Sequence, residues 1–133
     1  MAGAYDIPVL IIGGGPVGMA LATELGYQGI NTLVVERRDG TVSHPKMNMI
    51  STRTMEFCRR WGVAEEIRGA GWPPEHPMNI AYVTSLSGYR ISGFEYPSYD
   101  HRPPWQHTPE GHQRCSQLFF DPVIQKRAES FDC

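Results

Sequence analysis

A glycine triplet, Gly13-x-Gly15-x-x-Gly18, stands between a short apolar run and a segment with helical spacing, and this junction constrains the fold of the 133-residue chain more than any other feature. Residues 7–12, Ile-Pro-Val-Leu-Ile-Ile, are uncharged and end at glycine, the pattern of a fully buried parallel strand. Residues 16–28 then place Val17, Leu21 and Leu25 four apart, which predicts one apolar face of a helix. Gly29 suits the stop of that helix, and Asn31-Thr-Leu-Val-Val-Glu36 predicts a second buried strand. Strand, helix and strand in this order make a βαβ unit.

Each glycine has a separate physical reason. Gly13 permits the tight turn, Gly15 lets a pyrophosphate approach the backbone, and Gly18 lets helix and strand pack closely. The amides at the helix start would hold the diphosphate. Glu36 closes the second strand about 20 residues after the triplet, where a carboxylate accepts hydrogen bonds from a ribose diol and repels a 2′-phosphate. FAD or NAD is therefore favoured over NADP at this site.

The rest of the chain divides by composition. Residues 37–50 read as a loop with basic groups Arg37, Arg38 and Lys46. Ser51 or Thr52 caps a helix running to Trp61, with Glu56 and Arg60 expected to pair on its outer face, and Gly62 ends it. A shorter helical piece is predicted over 64–68. Between 72 and 112 lie seven prolines and a run of aromatic residues, so a helix is excluded and a hairpin around Ser87-Gly88 is predicted, followed by an irregular loop over 97–109. Helix returns over 117–130, with Pro122 tolerable only near its first turn.

Composition narrows the function classes. A formal charge of -2 gives no bulk electrostatic reason to bind nucleic acid or an anionic membrane. The aromatic stretch has Arg90 and Arg102 against Glu75, Glu95 and Asp100, so it lacks the cationic groove of a base-stacking surface. The uncharged stretch 7–23 is broken by Gly13-Gly14-Gly15-Pro16 and has no basic flank, so no targeting or membrane segment is expected and a cytoplasmic location follows. Cys58, Cys115 and Cys133 are odd in number and form no CxxC, which suits reduced thiols. His107, His112 and Cys115 lack a fourth ligand, so no metal is expected.

Beyond this general frame, Gly13-Gly14-Gly15-Pro16-Val17-Gly18, Val35-Glu36-Arg37, His44-Pro45-Lys46 through Arg53-Thr54-Met55-Glu56-Phe57, and Cys115-Ser116-Gln117-Leu118-Phe119-Phe120-Asp121-Pro122 resemble the aromatic-ring hydroxylases. These are the single-component, phenol hydroxylase-like flavoprotein monooxygenases, and the motifs match their amino-terminal portion in order. The resemblance implies FAD as cofactor, held by Gly13, Gly15, Pro16, Val17, Gly18, Glu36, Arg37, Lys46 and Gln117. Glu36 would take the adenosine ribose and Gln117 the ribityl side. Lys46 replaces a family arginine and keeps the charge without the planar fork. The implied reaction is NAD(P)H-driven transfer of one oxygen atom from O2 to a phenol-like aromatic substrate. No acid, base or nucleophile in this chain is assigned to catalysis.

The expected fold is thus α/β: an incomplete Rossmann-like FAD-binding βαβ unit formed by 1–70 and 113–133, with part of an antiparallel substrate-domain sheet inserted over 71–112. Two parallel strands leave edges and faces uncovered, so the chain reads as truncated and inactive by itself. The alternatives are a non-catalytic FAD/NAD-binding module and a flavin- or NAD-linked dehydrogenase.

Overall fold

The computed structural model describes residues 6–131. Strand β1 (Val9–Ile12) leads into helix α1 (Pro16–Tyr27) and strand β2 (Thr32–Val35). β1 and β2 pair in parallel, Val9 against Thr32 through Ile12 against Val35. Gly29, at φ 72°, stops α1 as expected. Among the described residues this parallel sheet has two strands.

Both strands were expected to be buried on two faces, and they are not. Ile11 is buried, but Leu10, Ile12, Leu33 and Val35 are exposed. α1 covers one face and no described element covers the other. The helix corrects its own periodicity in the same way. Val17 is 84% exposed and Leu21 about half exposed, whereas Ala22, Thr23 and Gly26 form the buried stripe. The reason is the partner: α1 packs mainly on helix α4 (Gln117–Glu129), and small residues let two backbones come close. A methyl added at Gly26 would lie 2.6 Å from the Phe131 ring. Thr23 Oγ1, fully buried, donates to the Met19 carbonyl at 2.8 Å.

Strand β3 (Met49–Ile50), at the end of the loop expected over 37–50, pairs antiparallel with β6 (Gln113–Arg114), for which no strand was expected. Helix α2 (Thr52–Arg60) follows, and the Ser51 hydroxyl accepts from the Thr54 N–H at 3.2 Å as its cap. Gly62, at φ 80°, turns the chain into α3 (Ala64–Ala70). Ile50, Met55, Cys58, Trp61, Ile67, Cys115, Phe120 and Ile124 make the core between these helices and the β3–β6 ladder. Cys58 and Cys115 are free thiols in that core, and burial pushes Cys58 up to about 12; Cys133 lies outside the described residues.

The expected Glu56–Arg60 pair does not form. Glu56 accepts from Arg53 at 2.8 Å and from Thr108 at 2.7 Å. Arg60 instead pairs with Glu24 on α1 and lies over the Phe57 ring at 4.9 Å, so it is a packing group and not a free surface charge. Trp61 Nε1 donates to the same Glu24 carboxylate at 2.7 Å, tying α2 to α1. A tertiary acceptor that also takes an indole N–H competes well with an exposed i,i+4 partner, whose contribution is about 0.3–0.5 kcal/mol.

The predicted hairpin is present as β4 (Ile80–Val83) and β5 (Arg90–Phe94), antiparallel with a register shift at Tyr82/Val83. A 3₁₀ turn over Tyr99–His101 interrupts the irregular loop. In α4 the Ser116 hydroxyl accepts from the Leu118 N–H, and Pro122 is accommodated just after the first turn. No described helix is long and apolar enough to cross a membrane.

Candidate functional site

The glycine turn comes first. Gly13 adopts φ 112°, outside the range of other residues, and its N–H donates to the Val35 carbonyl at 2.8 Å, locking the turn to β2. Gly18 sits against this turn: a methyl there would overlap the Gly13 carbonyl oxygen and lie 3.4 Å from Ile11 Cγ2. Gly15 is different. Its φ of -77° suits any residue, and a methyl built on it meets nothing within 4 Å. The protein itself places no demand for glycine at position 15, so the open space belongs to whatever approaches from outside.

Gly15 also caps α1 without a side-chain acceptor, and the first turn carries no acid. Pro16 supplies helical φ without a spare N–H, and the first bond of the helix runs from the Met19 N–H to the Gly15 carbonyl at 2.9 Å. The preceding amides of the helix start, with their partial positive charge, form an anion-binding end.

Glu36 lies beside this turn. Its Oε2 accepts from the Gly14 N–H at 2.8 Å and its Oε1 from the Arg38 N–H at 2.9 Å. Those two amides, Arg38 first, hold its carboxyl below the usual carboxylate range, so it is anionic at neutral pH. A carboxylate has about four acceptor positions, and two are left for hydroxyl groups.

A cleft of about 450 Å³ opens between the glycine turn and the loop over 40–46. Gly15, Pro16, Glu36, Lys46 and Gln117 all line it, together with Gly14, Arg38 and Asp121. Its far wall is tied by one side chain. Gln117 Oε1 accepts from the Lys46 N–H at 3.0 Å, and Gln117 Nε2 donates to Asp121 Oδ2 at 2.9 Å. Asp121 Oδ1 is buried with no partner, and burial raises its carboxyl despite the Gln117 bond. An acceptor left unsatisfied at a cleft wall fits a hydroxylated ligand.

Gly13, Val17 and Gly18 do not line this cleft; with Leu10 and Ile12 they line a neighbouring groove that shares Gly15 and Pro16 with it. Arg38 lines the cleft and Arg37 does not. Strand alternation ends at Val35, so spacing alone does not distinguish the two arginines. Asp121 was readable, because it follows Gln117 by one helical turn and shares its face. His112 and Cys115 do not meet: His112 accepts from Arg102 and packs on Trp105, while Cys115 is in the core. Among the described residues no group of three His, Cys, Asp or Glu side chains could hold a metal.

The structure thus joins a parallel βαβ unit, an open glycine turn, a helix start suited to an anion and an acid at the end of the second strand. Residues 6–133 match the model of the FAD binding domain, and the chain belongs to that family. It is 36% identical over 93 residues to the FAD-dependent monooxygenase apdD of Emericella nidulans, covering 69% of this chain and 15% of that protein. It is 30% identical to the 4-methyl-5-nitrocatechol 5-monooxygenase of Burkholderia sp. over 93% of this chain and 22% of that protein. Among solved structures, the rebeccamycin biosynthetic enzyme RebC with reduced flavin superposes with a TM-score of 0.87 at 44% identity, over 92% of this chain and 24% of RebC. Aklavinone-11 hydroxylase in a ternary complex with FAD and aklavinone gives 0.82 at 29% identity, over 98% of this chain and 25% of the hydroxylase. The chain thus spans roughly a quarter or less of the length of these relatives.

Proposed function

We propose that this chain is the cofactor-holding part of a flavin-dependent monooxygenase that hydroxylates phenol-like aromatic compounds with NAD(P)H and O2. One observation carries the reading: Glu36 is fixed against the glycine turn by two backbone amides at the mouth of a cleft whose other wall is Lys46, Gln117 and Asp121.

These residues fit FAD. The amides at the start of α1 would take the pyrophosphate, which the open side of Gly15 admits. Glu36 would hold the adenosine ribose, and its charge disfavours a 2′-phosphate there. Lys46 would neutralise phosphate charge, with Arg38 in reach of the same end. Gln117 positions Lys46 and Asp121, and Asp121 Oδ1 would accept a hydroxyl from the ribityl side. When bound and reduced by NAD(P)H, FAD supplies the activation of O2 for transfer of one oxygen atom to the ring. The chain's own part is to bind and orient that cofactor. The parallel strands belong to a Rossmann-like sheet, and residues 71–112 begin the substrate-facing antiparallel sheet; the names of the relatives and the hairpin β4–β5 support both assignments.

The test is FAD titration of the full-length protein followed by oxygen uptake with NADH or NADPH and a phenol. Stoichiometric flavin and phenol-dependent oxygen consumption are expected. A colourless protein that ignores added FAD would overturn the reading, and flavin reduction without oxygen transfer would favour a dehydrogenase.

A further inference from the structure

A second, smaller pocket of about 260 Å³ lies under the β3–β6 ladder, away from the cleft. Its walls are of two kinds. Met49, Met78, Ile80 and Tyr96 offer apolar surface, and Arg102, His112 and Arg114 supply polar edges. We propose that this pocket seats an aromatic ring with Arg102 and Arg114 holding a carboxylate borne by it, so that the substrate is an aromatic acid. The proposal rests on the flavin reading above and names the substrate class for it.

The charges argue first. Among the described residues neither Arg102 nor Arg114 takes part in a salt bridge, and Arg102 lies over the Tyr99 ring at 5.0 Å. Arg102 donates from Nη1 to His112 Nε2 at 2.9 Å and from Nε to the Pro97 carbonyl at 3.3 Å. Arg114 lies over the Trp72 ring at 5.2 Å, and its Nε is buried without an acceptor. Glu110, four residues before Arg114, is already taken by Arg68 and by Arg59 at 3.7 Å, and Asp100, two residues before Arg102, makes no salt bridge among the described residues. A buried guanidinium N–H without an acceptor is expensive, and native proteins keep few such groups.

His112 does not compete for the anion. It accepts from Arg102, which fixes its proton on Nδ1, and it is therefore the neutral member of the group. The guanidinium fork matches a carboxylate's two oxygens, which a single ammonium does not.

Size and position agree. A volume of about 260 Å³ is below the ~300–1,000 Å³ of pockets for drug-sized ligands, so it holds one ring or one end of a larger aromatic. The same ladder that carries Met49 and Arg114 continues to Lys46 and Gln117: the Gln117 N–H donates to the Met47 carbonyl at 2.9 Å. Three residues of strand span about 10 Å, so a cofactor seated against Lys46 and Gln117 has the pocket within reach of its far end.

The test uses the full-length protein with sodium benzoate and benzyl alcohol as probes, titrated calorimetrically, with flavin content measured on each sample. Wild type should bind benzoate at least about tenfold more tightly than benzyl alcohol. Arg114→Met and, separately, Arg102→Met should each weaken benzoate about 10- to 100-fold and leave benzyl alcohol and flavin content unchanged. Arg102→Lys should recover part of the loss. Equal affinity for the two probes, or variants that bind benzoate as well as wild type, would overturn the proposal. A protein without flavin that still prefers benzoate would sink the flavin reading and leave the acid-binding pocket standing.

Discussion

Alanine at Gly18 and alanine at Gly15 should have opposite kinds of effect, although both positions belong to one motif. In a helix interior, glycine to alanine ordinarily stabilises by about 1 kcal/mol. At Gly18 the new methyl overlaps the Gly13 carbonyl oxygen and lies 3.1 Å from its carbon. Overpacking costs about 1–3 kcal/mol, and the upper end applies because the obstacle is backbone. Gly13 cannot yield without disturbing its 2.8 Å bond to Val35, worth about 1 kcal/mol. The net expectation is a destabilisation of about 2–3 kcal/mol. At Gly15 the methyl meets open space and the backbone is already extended, so stability should change by less than about 1 kcal/mol, the scale of a helix-cap substitution. FAD affinity should nevertheless fall, because the methyl occupies the approach to the helix amides. Urea unfolding without added FAD and flavin-fluorescence titration separate the two effects in the full-length protein. A Gly18→Ala variant as stable as wild type would refute the packing argument. A Gly15→Ala variant with unchanged FAD affinity would refute the assignment of that open space to the cofactor.

Other outcomes follow from the same geometry. Ser51→Ala should cost about 1 kcal/mol by removing the cap on α2, read as a shift in urea midpoint. Glu110, 4% exposed between Arg68 and Arg59, should cost about 2–4 kcal/mol when replaced by alanine, the lower end reflecting that Arg68 keeps a third of its exposure. Glu36→Gln should weaken FAD binding while leaving the far-ultraviolet spectrum intact, and unchanged affinity would remove Glu36 from the site. Burial raises the Glu24 carboxyl, but hydrogen bonds from Trp61, Gln28 and Arg60 outweigh it and the net shift is downward. Its contribution is therefore present above the ordinary value of 4.5 and is lost as pH falls through the lowered one. Trp61→Phe should flatten the acid limb of a stability–pH curve, and an unchanged slope would show that Glu24 does not carry it.

How much of this was legible in the chain depended on whether the cause was local. Gly13, Gly29 and Gly62 impose backbone geometry at their own positions, and the structure has them where the sequence demands. Ser51 was readable for the same reason. Burial was not. Val17 and Leu21 look like a core stripe by spacing, yet α1 is buried along Ala22, Thr23 and Gly26 because α4 lies on that side. The β3–β6 ladder joins segments far apart in sequence and only two residues long, too short for any periodicity to show. In the cleft, Glu36 follows from its place at the end of the second strand and Lys46 and Gln117 from motif resemblance, while which of Arg37 and Arg38 lines the cleft depends on where the chain turns after β2. Glu24, paired with Trp61 and Arg60, gave no local sign at all.

The chain leaves the core at Trp72 and returns at Arg114, and the two are joined directly by an N–H to carbonyl bond of 2.8 Å. Because departure and return share one doorway, the path between them can lengthen, shorten or be exchanged at little entropic cost. The nucleotide cradle would not register the change, while Met78, Ile80, Tyr96 and Arg102 would be replaced together. On the reading proposed above, the two tasks are separable: the segment between these residues is exchangeable as one cassette while Glu36, Lys46 and Gln117 stay where they are.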